Sequence, residues 1–527
     1  MPLTVGDMLL RNAETRPDSI GFVDEGRRFT WRETNERVNR IANALIGLGL
    51  QQGERVGILS RNCHQFLEIY FALAKAGLVG VAINARFMAA EVAHYLNDSG
   101  AAALFVHEDF NALARAALAE VSGLRHVIGI SRKHDMDRDY EGIPVLDYED
   151  LQFAAPPEEP ERFVHEDDLF VLAYTSGTTG KPKGAMLTHR NSIAATTTMA
   201  FESRLLPHHR YLLGAAFYFA SGGGSRFLPI LRGCVTVLTN FEPGEVLRLI
   251  EQERITHTSM SPSGLTMLLE HPDLGKRDIS SLEGILMTSA ATPVPLLRRA
   301  IEKIGPKFMM GFGLSETGPS GLILQAEDVA LDGSDTQLRR LGSIGRVMVG
   351  NRARIVDQEG KTLPPGEQGE LVIRGACVMQ GYWKDPEATA AALREGWILT
   401  GDLGTMDEDG YVYITDRRKD VIVSGGINVY PREVEEVLYG HPAILEAAVI
   451  GVPDERWGET VKAVVSLRPG QSITPSEIIA YCKERMASYK KPTSVDIWDA
   501  LPKTGSNKIW KVPLREHYWK GHERRVN

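Results

Sequence analysis

The segment that most constrains this chain is Tyr174-Thr175-Ser176-Gly177-Thr178-Thr179-Gly180-Lys181-Pro182-Lys183-Gly184. Small, polar and basic, it cannot fill a core, but it can wrap an anion. Its glycines let backbone N–H groups approach a ligand closely. Its hydroxyls add donors or reach a metal, and Lys181 and Lys183 supply positive charge. Leu169 to Tyr174 reads as a buried strand running into the loop, and Ala185 to His189 resumes ordered structure after it. A P-loop needs four residues between its first glycine and its Gly-Lys pair. Here only Thr178 and Thr179 separate Gly177 from Gly180, and Pro182 stands where a P-loop has Ser or Thr. The segment is therefore a phosphate cradle of another kind, or a plain Gly/Ser/Thr-rich surface loop.

Size and composition bound what surrounds it. At 527 residues the chain exceeds one ordinary core and implies two to four units. Hydrophobic residues at 43% and charged residues at 24% fit a globular chain, and a net charge of −9 argues against a nonspecific nucleic-acid binder. Cys63, Cys234, Cys377 and Cys482 have neither disulfide nor zinc spacing and read as reduced, packed thiols. Met1 to Arg11 lacks a secretory pattern. The longest apolar stretch, Tyr70 to Ile83, is interrupted by Lys75 and too short to span a bilayer, so no transmembrane segment and a cytoplasmic location are expected.

Helices alternate with short apolar strands through the first two thirds. Phe29 to Leu48 reads as a helix with Thr30 as N-cap and Glu33 three residues on. Strands at Arg55 to Leu59, Val79 to Ile83 and Ala103 to Val106 enclose helices at Cys63 to Ala76 and Ala90 to Ser99. The alternation continues through Tyr211 to Ala215, Thr236 to Leu238 and Gly284 to Met287. This is the pattern of α/β layers on a largely parallel sheet. After Gly342 the strands at 353–357, 369–373 and 410–414 are separated by Asp/Gly turns, predicting an antiparallel β subdomain. A compact α+β unit follows from Lys419. The expected division is a large domain over 1–418 and a small C-terminal domain over 419–527.

Further motifs follow the loop in order. Gly311-Phe312-Gly313-Leu314-Ser315-Glu316 offers a ring beside glycines for a base and a carboxylate for Mg²⁺. Thr400-Gly401-Asp402 and Asp416-Arg417 place a carboxylate and donors suited to a ribose diol. Ser424-Gly425-Gly426 allows close backbone approach to a narrow ligand, and Leu501 to Ile509 carries Lys508. Singly, each is an ordinary surface or core feature. Together and in this order they resemble the adenylate-forming superfamily, which includes acyl-CoA synthetases, firefly luciferase and peptide-synthetase adenylation domains. The resemblance runs from about Phe29 to Arg515. It implies that Thr175, Ser176, Gly177, Thr178, Thr179, Gly180, Lys181 and Lys183 handle the ATP phosphates. It further implies that Ser289, Ala290, Ala291, Gly311, Phe312, Gly313 and Ser315 hold adenine and its surroundings, that Asp402 and Arg417 hold ribose, and that Glu316 holds the metal. Thr175, Glu316 and Lys508 would be catalytic, Lys419 the hinge of a mobile small domain, and Gly425, Gly426 and Trp457 neighbours of the CoA arm.

Two positions depart from the family pattern. Asn507 replaces a glycine before Lys508; Asn accepts left-handed geometry more readily than most residues. Tyr218 stands where many acyl-CoA synthetases have a histidine, and a phenol cannot become cationic near neutral pH. Phe217, Tyr218, Gly222, Gly223 and Phe312 are the candidate acid pocket, with space at the glycines and apolar walls. The expectation is an ATP-, Mg²⁺- and CoA-dependent acid–CoA ligase acting on an apolar medium- or long-chain fatty acid through an acyl-adenylate. An aryl acid, a carrier-protein thiol as acceptor, and a nucleotide-binding protein without catalysis are the alternatives. No nucleic-acid partner is expected, and a homodimer is left open.

Overall fold

The computed structural model describes residues 4–131, 137–175, 182–219, 222–329, 331–504 and 508–520. Local chemistry explains how its elements start. Thr30 caps the helix Trp31–Gly47 in a reciprocal box: its hydroxyl accepts from Glu33 N while the Glu33 carboxylate accepts from Thr30 N at 2.7 Å. The helix His64–Lys75 is buried along its whole length, as expected of an element apolar on nearly every face.

Among the described residues there are four sheets, of nine, eight, five and five strands. In the first, the strands 210–213, 257–260, 284–287 and 308–312 run parallel as neighbours. In the second, the parallel strands 101–107, 55–59, 79–82 and 169–174 lie side by side, and 184–188 returns antiparallel along 169–174. Tyr70, Phe66, Phe170, Phe217 and Phe227 belong to one large core cluster between helices and strands. The expectation of a mainly parallel large domain needs one refinement. Both big sheets finish in antiparallel edges, at 322–324 and 346–347 in one and at 184–188 in the other. The connections 175–183 and 313–321 are too short for the helical crossover that a parallel strand requires, whereas 346–347 follows a longer segment that carries the helix Asp335–Arg340.

The third sheet, with strands 351–356, 369–375, 397–406 and 412–417, is antiparallel. Its last strand ends at Arg417. A single turn of 3₁₀-helix, Arg418–Asp420, separates it from Ile422–Ser424, which belongs to the fourth sheet. That sheet and its helices enclose their own apolar core around Val449, Ala463 and Ile478. The small unit rests on the large one through few polar contacts. Val294 N donates to Glu436 Oε1 at 2.9 Å, Arg432 N to Asp416 Oδ2 at 3.0 Å, and Tyr430 Oη to Gln368 Oε1 at 2.9 Å; Arg468 pairs with Glu270. The four cysteines are free and buried. No helix among the described residues is long and apolar enough to cross a membrane.

Candidate active site

A cavity of about 1240 Å³ opens at the carboxyl ends of these parallel strands, the place where open α/β sheets bind ligands. The strand 169–174 delivers Thr175, 284–287 delivers Thr288 and Ser289, and 308–312 delivers Gly311 and, beyond it, Gly313 to Glu316. Thr400, Gly401, Arg417, Lys419 and Lys508 close it from the third sheet and the small unit. Residues more than three hundred positions apart in sequence thus share one wall system.

The strand ends that flank residues 176–181 are tied together and to the neighbouring element. Thr175 N donates to Lys183 O at 2.9 Å, and the preceding Tyr174 hydroxyl donates to Asp98 at 2.5 Å. Lys183 faces the cavity with its ammonium 3.8 Å from Asp385 and 5.4 Å from the centre of the Tyr382 ring. Ser176, Gly177, Thr178, Thr179, Gly180 and Lys181, like Asn507, lie outside the described residues. Ser289 sits at φ +76°, a strained setting for a residue with a Cβ. It lines the cavity, whereas Ala290 and Ala291 next to it are exposed and do not.

Gly311 and Gly313 line the cavity but Phe312 between them does not: it packs against the core cluster containing Leu322 and Ile373. The reason is strand alternation, which sends neighbouring side chains to opposite faces. A Cβ on Gly313 would run into the Pro319 carbonyl, so this close turn requires glycine. Phe217 is likewise a core residue, edge-on to Phe66 at 5.5 Å. Tyr218 does line the cavity, with its hydroxyl bonded to Arg86; burial raises its pKa and Arg86 opposes the rise. Gly222 and Gly223 open the helix Gly222–Arg232. Of the proposed acid pocket, the structure brings Tyr218 to the cavity wall, buries Phe217 in the core and packs the half-buried Phe312 against another core cluster.

Glu316 accepts a 2.7 Å hydrogen bond from the Tyr382 hydroxyl. Burial and the Glu316 charge both push the Tyr382 pKa up, so the phenol remains a donor. Sequence reasoning missed Tyr382; the Gly381-Tyr382 pair just before the Asp385-Pro386 helix start was the available signal. Among the described residues no group of three or more His, Cys, Asp or Glu could hold a metal ion.

Asp402 is 4% exposed. Its Oδ1 accepts from Arg417 Nε at 3.2 Å, while its Oδ2 is buried without a hydrogen-bond partner among the described residues. An orphaned buried acceptor carries a free-energy cost unless a ligand supplies donors. Burial raises the Asp402 pKa, with the Arg417 charge opposing. Asp416 faces away, accepting from Arg417 N and Arg432 N, and its burial pushes its pKa up to about 6. Lys508, half-buried, has its pKa lowered to about 8 by burial and by the Arg417 charge, against the pull of Asp402. Lys419 is lowered to about 8 for the same leading reasons, burial first and then Arg417.

Gly425, Gly426 and Trp457 are not brought to this cavity. The two glycines, at φ +57° and +81°, form the two-residue turn between Ile422–Ser424 and Ile427–Val429, the turn type that needs positive φ twice. Trp457 covers the turn, 46% exposed, and its carbonyl accepts from Gly425 N at 2.9 Å. The arrangement therefore presents Lys508 to the cavity and the Gly-Gly turn to solvent.

Residues 9–383 match the family model described as AMP-binding enzyme, and residues 433–508 match the AMP-binding enzyme C-terminal domain. The chain is 39% identical to a feruloyl-CoA synthase of an Amycolatopsis species, over 98% of this chain and 99% of that protein. It is 36% identical to a medium/long-chain-fatty-acid–CoA ligase, FadD8, of Mycobacterium tuberculosis, over 95% of this chain and 87% of that one. Among solved structures it is similar to the anthranilate CoA ligase AuaEII in complex with anthranoyl-AMP, with a TM-score of 0.88, 30% identity, and coverage of 98% and 97%.

Proposed function

We propose, for a chain that belongs to the AMP-binding enzyme family and is an ATP- and CoA-dependent, AMP-forming acid–thiol ligase, that the acid it activates is aromatic. The observation that carries this reading is the character of the cavity wall. Tyr70, Phe170, Tyr218, Phe219 and Phe227 line the same cavity as Thr175, Glu316 and Lys508. Flat rings favour a flat substrate, since offset or edge-on ring contacts add to simple apolar burial. A feruloyl-CoA synthase and an anthranilate CoA ligase among the similar proteins support the same class.

The chemistry then follows from the arrangement. A carboxylate oxygen attacks the α-phosphorus of ATP, the Pα–O bond to the β-phosphate breaks, and pyrophosphate leaves with its electron pair. Thr175 and Lys183 border the departing phosphates, and Asp402 with Arg417 receives the ribose. Glu316 would hold Mg²⁺, which neutralises phosphate charge when bound. Lys508 sets an ammonium beside the reacting centre, where charge concentrates in the transition state. In the second reaction the CoA thiol attacks the acyl carbon and AMP leaves. For that step the Gly425-Gly426 turn and Trp457 replace Lys508, by rotation of the small unit about Lys419.

A second reading, a medium- or long-chain fatty acid, is favoured by Leu187 and Met199 on the cavity wall and by the FadD8 likeness. AMP formation with CoA across benzoic, cinnamic and fatty acids decides between them. Aryl acids with the higher kcat/KM support the proposal; fatty acids of eight or more carbons outrunning every aryl acid by about tenfold, some 1.4 kcal/mol, reject it.

A further inference from the structure

Beside the antiparallel third sheet lies a second cavity, of about 620 Å³, which shares no wall residue with the active-site cavity. Arg352 and Arg374 stand on its wall, both exposed, and they are direct partners across the antiparallel strands 351–356 and 369–375. Like charges set opposite each other weaken such a pair. Neither guanidinium makes an ion pair or a hydrogen bond to another described residue. Arg354, two residues along and so on the same face, stacks on Trp397 with its guanidinium carbon 4.1 Å from the ring centre. Its Nε is buried without a hydrogen-bond partner among the described residues. Three guanidiniums on one sheet face, with no carboxylate paired to them, make a local field that attracts anions although the whole chain is acidic.

The cavity is held in shape by its surroundings. Asn191 Nδ2 donates to the carbonyls of Ala376 and Val378 at 2.8 and 2.9 Å, fixing the wall segment that follows Gly375. Gly396, at φ +77°, lets Arg374 lie close to the hairpin turn: a Cβ there would stand 3.4 Å from Arg374 Nε. Val378, Met379 and Leu393 add apolar surface beside the charges. Two guanidinium forks carry two positive charges and match planar arrays of oxygens. A phosphate monoester, with a charge of about −1.5 to −2 near neutral pH, balances them better than a carboxylate does, and the apolar wall accommodates a hydrophobic group attached to it.

We infer that this cavity is a binding site for a phosphate monoester with a small apolar body, its phosphate held between Arg352 and Arg374. Phenyl phosphate is the probe, titrated by calorimetry into the full-length wild type, the double variant Arg352→Gln/Arg374→Gln, and Arg352→Lys. Inorganic phosphate and benzoate are titrated alongside. Any binding in the active-site cavity is common to the three proteins, so the differences among them report the second cavity. The wild type is expected to bind phenyl phosphate at least tenfold more tightly than the double variant. Arg352→Lys should fall between them, because it keeps the charge and loses the fork. Inorganic phosphate and benzoate should each bind the wild type several-fold more weakly than phenyl phosphate. Phenyl phosphate should raise the unfolding temperature of the wild type more than that of the double variant, and kcat/KM for AMP release without the probe should be the same in both. Equal binding by wild type and double variant overturns the site. If the double variant does not fold, Arg352→Lys decides, and binding equal to wild type overturns the site. Inorganic phosphate or benzoate matching phenyl phosphate overturns the ligand class.

Discussion

Lys508 shows how position alone changes what a side chain can do. Burial and the neighbouring Arg417 hold its pKa near 8, below the usual lysine range. Its proton is therefore lost as pH rises through about 8, and with it the ammonium that the proposed adenylation step sets beside the reacting centre. The pH profile of kcat/KM, which reports the free enzyme, should fall above pH 8 for pyrophosphate release; a profile flat to pH 10 would contradict a lowered Lys508 pKa. Lys508→Ala should slow adenylation by two or more orders of magnitude and leave thioester formation from supplied acyl-adenylate nearly intact. Tyr382 acts through Glu316, holding the carboxylate at 2.7 Å. Tyr382→Phe removes one hydrogen bond to a charged group, so the Mg²⁺ concentration for half-maximal pyrophosphate release should rise by about tenfold. No change in that requirement would reduce Tyr382 to packing.

At the scale of elements, the sequence was most readable where a local rule decides the outcome. The Thr30 and Glu33 spacing gave the start of its helix because both halves of the capping box lie within one turn. The ordered motifs singled out Thr175, Glu316, Arg417 and Lys508, which the fold brings to one cavity, and Asp402, which pairs with Arg417 in the neighbouring strand. Orientation was harder to read. Phe312 lies in a strand whose register sends it to the core, and nothing in Gly311-Phe312-Gly313 states which face is which. Tyr382 escaped for another reason: its partner Glu316 comes from a distant element that only the folded sheets bring together. The Gly425-Gly426 turn supplies a test at this scale. Gly425→Ala would place a Cβ against the Trp457 ring and force φ +57° on alanine. Thioester formation should fall about tenfold or more while acid-dependent pyrophosphate release stays within about twofold of wild type. Equal loss in both would mean that the turn serves folding only.

For the molecule as a whole, the main question is how one cavity serves two reactions. The small unit touches the large one through scattered polar contacts and carries an independent core. Such an interface is easily exchanged for another. Arg432 donates to Asp416 and to the Ile414 carbonyl, tying the small unit into the arrangement in which Lys508 faces the cavity. Arg432→Ala should slow adenylation several-fold and spare the thiol step, as expected when one of two states loses stabilisation. Slowing of the thiol step alone would assign Arg432 to the other state.

The central claim is that an aryl carboxylate is joined to the α-phosphate of ATP before it reaches CoA. Heavy-oxygen label in the carboxylate of 4-hydroxycinnamic acid tests it most directly, with mass spectrometry of every product after turnover with ATP, Mg²⁺ and CoA. One labelled oxygen is expected in AMP, with unlabelled pyrophosphate and one aryl-CoA thioester per AMP. Label in inorganic phosphate accompanied by ADP, or thioester formed alongside unlabelled AMP, would contradict it.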